Sequence, residues 1–169
     1  DQWVQTPEIE VFSTIAAQVG MVIEHQHLEE ELKRQATTDG LTGLMNRRHF
    51  LSRCGEELKR VRRYEESVAF LILDIDHFKQ VNDTFGHATG DDALRWIAVA
   101  CNEVLRETDL LGLIGGEEFA ARLLGADAAK AMRISERLRK NIQDTVFHDA
   151  QGQAIPLRVS IGATLGISR

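Results

Sequence analysis

The chain has 169 residues, 43% of them hydrophobic and 27% charged, which is too short for two full-sized globular domains and apolar enough for one real core. Twenty Lys and Arg against 26 Asp and Glu give a net charge of -6, the wrong sign for gripping nucleic acid by neutralising its phosphates. Cys54 and Cys101 stand far apart with no C-x-x-C pairing, which argues against a disulfide scaffold or a zinc knuckle and fits a reduced compartment. No apolar run approaches the ~20 residues of a membrane span, and nothing resembles a signal peptide. One folded domain plus an extension is expected, cytoplasmic, with no nucleic-acid partner and no direct membrane contact. The start at Asp1 without Met predicts a piece of a longer protein whose remaining parts carry a sensor or a membrane anchor.

From Ile9 to Gln35 the only helix-weakening residue is Gly20, and apolar residues recur at helical spacing: Phe12, Ile15, Val19 and Val22, then Met21, Leu28 and Leu32 in a shifted register. One long helix is expected. Its narrow stripe and polar second half suit a two-stranded coiled coil with a stutter better than packing on its own domain. Thr38, Asp39 and Gly40 break that helix, and Asn46 to Arg63 reads as an amphipathic helix with Phe50, Leu51, Leu58 and Val61 inward. Val68 to Leu73 is a continuous apolar run of strand length, the pattern of a strand buried on both faces.

A helix around Phe78 to Phe85, a polar break from Gly86 to Gly90 and a helix from Asp91 to about Leu105 follow. Leu110–Ile114 and Phe119–Leu124 flank Gly115-Gly116-Glu117-Glu118, a hairpin signal because Gly tolerates the positive φ of tight turns. Ala126 to Ile142 reads as a helix and Leu157 to Leu165 as a strand. The alternation, with at least one antiparallel pair, predicts an α/β (α+β) domain: a mixed, partly antiparallel central sheet covered by helices.

The acids carry the functional signal. Asp74 and Asp76 follow directly on an otherwise uncharged strand, at the sheet rim where α/β folds place ligands. With Glu117 and Glu118 at the hairpin, and Asp83, Asp91 and Asp92, they make seven carboxylates in two short windows with Lys79 the nearby cation. Such a cluster repels itself unless a cation binds, and an oxygen-only ligand set selects Mg²⁺ or Mn²⁺ over zinc. The competing readings are solvated acids in the turn and a strand end capping the next helix; the conjunction favours the metal. An EF-hand fails at Phe78 and Lys79, where the loop needs a ligand and a Gly. His77 and His87 lack a third partner at zinc spacing and read as surface or supporting residues.

The motifs Asp39-Gly40-Leu41-Thr42-Gly43-Leu44-Met45-Asn46-Arg47-Arg48, Leu73-Asp74-Ile75-Asp76-His77-Phe78-Lys79-Gln80-Val81-Asn82-Asp83, Gly86-His87, Gly90-Asp91, Gly115-Gly116-Glu117-Glu118-Phe119 and Ser160-Ile161-Gly162 resemble, in order and spacing, the GGDEF-domain diguanylate cyclases. The resemblance runs over about Thr37 to Thr164. It implies two parts: 1–36, a signalling coiled-coil helix ending a GAF-like sensor domain, and 37–169, a GGDEF catalytic domain of nucleotidyl-cyclase or polymerase-palm type, incomplete at its C-terminus. The implied reaction joins two GTP into cyclic di-GMP with release of two pyrophosphates across a homodimer formed through the N-terminal helix. The alternative is a catalytically weak or inactive module that binds GTP or cyclic di-GMP as a receptor.

By resemblance, Asp74, the carbonyl of Ile75 and Glu117 hold two Mg²⁺ (or Mn²⁺) per half-site, and Glu118 assists as ligand or base; the ranking of Glu117 and Glu118 stays open. Asn82 and Asp91 meet the guanine edge, Phe78 and Lys79 belong to the same substrate site, and Gly115 and Gly116 admit a phosphate. Arg106 and Asp109, an R-x-x-D, together with Arg137 form an inhibitory site for the product. Two departures stand out. Leu113 and Ile114 occupy positions where members usually carry an Arg and, next to the Gly-Gly pair, an aromatic. The final helix, with a Lys and an Arg for the triphosphate, lies beyond Arg169.

Overall fold

In the computed structural model of the chain, residues 7–64 and 66–166 are described, the side chains of 7–14, 62 and 64 excepted. The chain divides into two compact units, 1–36 and 37–169. The first is occupied by helix α1, Pro7–Thr37. Ile15, Val19, Met21, Val22, Leu28 and Leu32, the expected seam, are all exposed, as is Ile23; the side chain of Phe12 lies outside the described residues. In the polar half, Arg34 Nε donates to Glu31 Oε2 at 2.9 Å, and this hydrogen bond, seconded by Gln35, holds the Glu31 carboxyl down at about 2.

The second unit runs β1 (Met45–Asn46), α2 (Arg47–Tyr64), β2 (Val68–Ile75), α3 (Phe78–Phe85), α4 (His87–Val104), β3 (Leu110–Leu113), β4 (Glu118–Leu124), α5 (Ala128–Asp144), β5 (Phe147–His148), β6 (Ala154–Ile155) and β7 (Val159–Gly166). The main sheet has the order β1-β3-β4-β2-β7, with β1 parallel to β3 and every other pair antiparallel. Strands β5 and β6 form a separate small hairpin. The short strands β1, β5 and β6 leave no periodicity in the sequence, because two residues are too few to alternate. Strand β1 follows a loop knotted by Asp39, whose Oδ1 accepts from Thr42 N at 2.8 Å, with Gly43 at φ 71. Asn46 then caps α2, its Oδ1 accepting from His49 N at 2.9 Å.

Strand β2 alternates more than its composition predicts. Ala69, Leu71, Leu73 and Ile75 are buried in a core built with α3, α4 and α5, where Val81, Ile97, Cys101, Leu138 and Ile142 pack. The opposite face carries only α2, through Phe50 and Cys54 against Phe70, Leu110 and Ala120. Ile72 is therefore 44% exposed, and burial on both faces holds only where α2 reaches. Leu51 turns outward at 56% exposed, one position off the inward stripe of Phe50, Cys54 and Val61.

The expected polar break from Gly86 to Gly90 shrinks to Gly86 alone, whose φ of 87 joins α3 to α4 at a sharp corner. Gly90 lies inside α4 because close packing, not a turn, calls for it. Helix α5 starts at Ala128, two residues later than its apolar pattern implies, since Asp127 is its N-cap and accepts from Lys130 N at 2.7 Å. Both cysteines are buried and free, and burial pushes the Cys101 thiol up to about 12, so it stays protonated and packs as a small apolar group.

Arg122, on the α2 face of β4, is 3% exposed, and its Nε and Nη1 find no hydrogen-bond acceptor. Its cross-strand neighbours are Phe70 and Leu110, an apolar setting in which a guanidinium is costly. Arg122→Leu should stabilise the fold by about 1–4 kcal/mol, read as a rise in the midpoint of urea unfolding; a fall would mean that the guanidinium is well solvated.

Candidate active site

Strands β2 and β4 set the site by register. Asp74 stands directly opposite Glu118 on β4 and opposite Ser160 on β7. Alternation puts Asp74 on the open α2 face, past the exposed Ile72. Directly opposed residues bring their Cβ atoms to about 5 Å, where like charges repel. Two carboxylates so placed are an oxygen pair that a hard divalent cation relieves.

Asp76 is engaged elsewhere: Ser160 Oγ donates to its Oδ1 at 2.7 Å, and its backbone N–H donates to the Arg158 carbonyl at 3.0 Å. Of the two acids that close the strand, Asp74 is the one left to face the hairpin. Among the described residues no three His, Cys, Asp or Glu come close enough to hold a metal by themselves. His77 holds αL geometry at φ 58, and both it and His87 are exposed.

The hairpin turn is closed by Ile114 N–H donating to the Glu118 carbonyl at 2.8 Å. Neither Gly115 nor Gly116 has a positive φ, so the turn does not need glycine for that reason. At Gly115 the reason is room, since a Cβ would run into the Glu118 side chain; at Gly116 nothing lies within 4 Å and the backbone is bare to an incoming group. Glu117 is half-buried in the turn and Glu118 exposed at the start of β4. Leu113 and Ile114 turn into the apolar clusters on the two faces of the sheet, bringing no charge to this end of the hairpin.

The α3–α4 corner assembles the other expected side chains. Phe78 and Asn82 both lie against Gly90, where a Cβ would overlap Asn82 Oδ1 and approach Phe78 Cζ to 3.4 Å. Asp91 is the next residue along α4. Lys79 is exposed. The groove of about 470 Å³ formed by Asp76, His77, Gln80, Thr84, Pro156 and Arg158 lies on the other flank of α3, at the 3.6-residue period, and holds none of the expected substrate residues.

Arg106, Asp109 and Arg137 do come together, lining a cleft of about 280 Å³ between the end of α4 and the first turns of α5. Asp109 is no ion-pair partner of Arg106: its carboxylate accepts from the backbone N–H of Arg106 at 3.1 Å and of Leu124 at 3.3 Å. It closes the turn and leaves the guanidinium free to face the cleft. Lys130 and Arg133 line the same cleft; they lie outside the R-x-x-D motif, and the signal for them in the sequence is the spacing of 130, 133 and 137 on one helix face.

Residues 36–168 match the family model of the diguanylate cyclase GGDEF domain, and the chain belongs to that family. It is 39% identical over 140 residues to the diguanylate cyclase DgcP of Pseudomonas aeruginosa, a match covering 83% of this chain and 21% of that protein. It is 36% identical over 137 residues to the diguanylate cyclase DosC of Escherichia coli, covering 81% of this chain and 30% of that one. The structure of the coiled coil and GGDEF domain of DgcB from Caulobacter crescentus, in complex with c-di-GMP, aligns with a TM-score of 0.84 at 27% identity over 94% of this chain and 84% of that one. The diguanylate cyclase SiaD from Pseudomonas aeruginosa, in complex with its activator SiaC, aligns with a TM-score of 0.74 at 37% identity, covering 94% of this chain and 60% of that one. The chain thus spans between about a fifth and a third of the length of DgcP and DosC.

The fit between Gly90 and Asn82 is directly testable. Gly90→Ala should cost about 1–3 kcal/mol of stability through overpacking, measured by urea unfolding; wild-type stability would show that Asn82 is free to move aside.

Proposed function

We propose that this chain makes cyclic di-GMP from two molecules of GTP in the bacterial cytoplasm, as a homodimer, releasing two pyrophosphates. The observation that carries the reading is the facing pair Asp74 and Glu118, beside a bare Gly115-Gly116 turn and a corner that seats Asn82 against Gly90, the residue before Asp91. In each half-reaction a 3′-oxygen forms a bond to the α-phosphorus of the other nucleotide, the bond to the bridging oxygen breaks, and pyrophosphate leaves. Proximity of the two held nucleotides supplies much of the rate.

Asn82 and Asp91 recognise the guanine edge; the Asp91 carboxylate accepts from two N–H groups that adenine does not present together. Phe78 packs beneath them, and Lys79 supplies a cation to the phosphates. Asp74, the Ile75 carbonyl, Glu117 and Glu118 are the oxygen donors that would hold two Mg²⁺ or Mn²⁺, with Glu118 favoured as the partner of Asp74 by its register. Bound there, the metal would neutralise the triphosphate and lower the pKa of the attacking hydroxyl. The hydroxyl proton passes to a hairpin carboxylate, Glu117 or Glu118. Product would inhibit by binding at Arg106, Asp109 and Arg137.

Leu113, turned into the core where the resemblance implies an Arg, favours one second reading: a receptor that binds GTP or cyclic di-GMP with little turnover. Incubation with millimolar Mg²⁺ and GTP, followed by anion exchange, separates the two. Cyclic di-GMP should form, and Glu117→Gln and Glu118→Gln should each lower its rate by about 10²–10³-fold. Glu118→Gln should also raise the Mg²⁺ concentration needed for half-maximal GTP binding. GTP binding without product would establish the receptor.

The exposed apolar residues of α1 support dimerisation through that helix. Leu28→Asp with Leu32→Asp should make specific activity fall steeply on dilution, while the unaltered chain holds its activity over the same range; unchanged dilution behaviour would remove α1 from the dimer contact.

A further inference from the structure

The groove on the far flank of α3 has no part in the proposed reaction. Its volume, about 470 Å³, falls within the range of roughly 300–1,000 Å³ usual for small-molecule sites. Gln80, Val81 and Thr84 follow His77 at helical spacing and so form one wall. Val81 and Ile155 belong to the main core and Phe85 packs against it, so the floor is the core itself showing at the surface. An apolar body laid on that floor gains from leaving water.

The groove also carries a charge. Asp76 N–H donates to the Arg158 carbonyl at 3.0 Å, one rung beyond the Ile75–Val159 pair, so Arg158 stands opposite Asp76. Opposite charges so placed attract. Here the Asp76 carboxylate accepts from Ser160 Oγ at 2.7 Å instead, and no ion pair engages Arg158 among the described residues. An exposed guanidinium is thus left without an acid beside an apolar floor, in a chain of net charge -6. His77 lines the groove too. Its φ of 58 is the one positive value outside glycine among the described residues, a strained backbone whose carbonyl is held by Gln80 N–H at 2.8 Å and Val81 N–H at 3.3 Å.

We infer that this groove is an effector site for a small organic anion with an apolar body. The anionic group meets Arg158, whose guanidinium can grip it through two parallel N–H donors, and the body covers Val81, Phe85 and Pro156. Helix α3 links the groove to the corner at Gly90. One flank of its eight residues seats Phe78 and Asn82 against Gly90, and the other faces the groove with Gln80, Val81 and Thr84. The strained His77 joins this helix to the strand that carries Asp74. An occupant pressed against the groove flank therefore sets where Asn82 stands, and a nucleotide held at Asn82 changes the affinity of the groove by the same factor. This coupling rests on reading the Asn82 and Asp91 corner as the nucleotide site; binding of the anion does not.

Fluorescence titration of the 169-residue chain with 1-anilinonaphthalene-8-sulfonate, an aromatic sulfonate, tests the site. Arg158→Ala should weaken binding about tenfold, Arg158→Lys should recover part of the loss, and Tm should stay level in both. Thr84→Trp, which fills the groove from an exposed position, should abolish the same binding component and leave any probe taken by the exposed apolar residues of α1. Equal affinity in the unaltered chain, Arg158→Ala and Thr84→Trp would overturn the site. Calorimetric titration with GMP at saturating probe then tests the coupling: the affinity for GMP should differ about threefold from its probe-free value in the unaltered chain and not in Arg158→Ala. An unchanged affinity would overturn the coupling and leave the site standing. Failure of GMP to bind at all would overturn the nucleotide corner and the coupling with it, while the groove stands or falls by the first titration.

Discussion

Everything about the site depends on one constraint, the antiparallel register of β2 between β4 and β7. Residues opposite one another in such a ladder share a face. Once Leu71 faces Ala121 and Leu73 faces Phe119 in the core, Asp74 must face Glu118 on the other side. A slip of one residue would bury the carboxylate pair and expose Leu73. The apolar core and the acidic site are therefore two faces of the same alignment, and the energy that buries the one specifies the other.

That division explains why the sheet is dressed unequally. Three helices cover the face that needs to be dry, and α2 alone lies on the other, reaching Phe70 and Leu110 but leaving Ile72 open. An open strip next to two carboxylates gives a charged, hydrated ligand a place to approach without a cavity. The same logic governs the glycines. Gly86 turns the chain, whereas Gly90 and Gly115 keep clear the space taken by Asn82 and Glu118.

The cleft around Arg106 is built differently. It uses a helix end, a turn stitched by Asp109 and a row of like charges on α5, set over the apolar Val104 and Ile134. Arg106, Arg133 and Arg137 are exposed there and Lys130 half-buried, and like charges at helical spacing on α5 repel. One small acidic chain thus carries a facing carboxylate pair, Asp74 and Glu118, and a basic cleft around Arg106.

Much was legible in the residues alone. The apolar run from Val68 to Leu73, the Gly-Gly hairpin and the amphipathic helices mark themselves by period and turn chemistry, and the motifs around Asp74, Asn82, Asp91 and Glu117 mark the family. What local pattern could not reveal was anything decided between distant segments. The two-residue strand β1 exists because β3 offers it a parallel partner, and Leu51 faces water because α2 meets the sheet along Phe50 and Cys54. Glu118 rather than its neighbour Glu117 opposes Asp74 because a β-ladder accepts only one register. The sequence by itself determined which segments become helix and strand and which chemistry they carry, since those follow from spacing along the chain. Only the tertiary structure decided which carboxylate meets which, and that Lys130 and Arg133 join Arg106, because those meetings are set by packing across the fold.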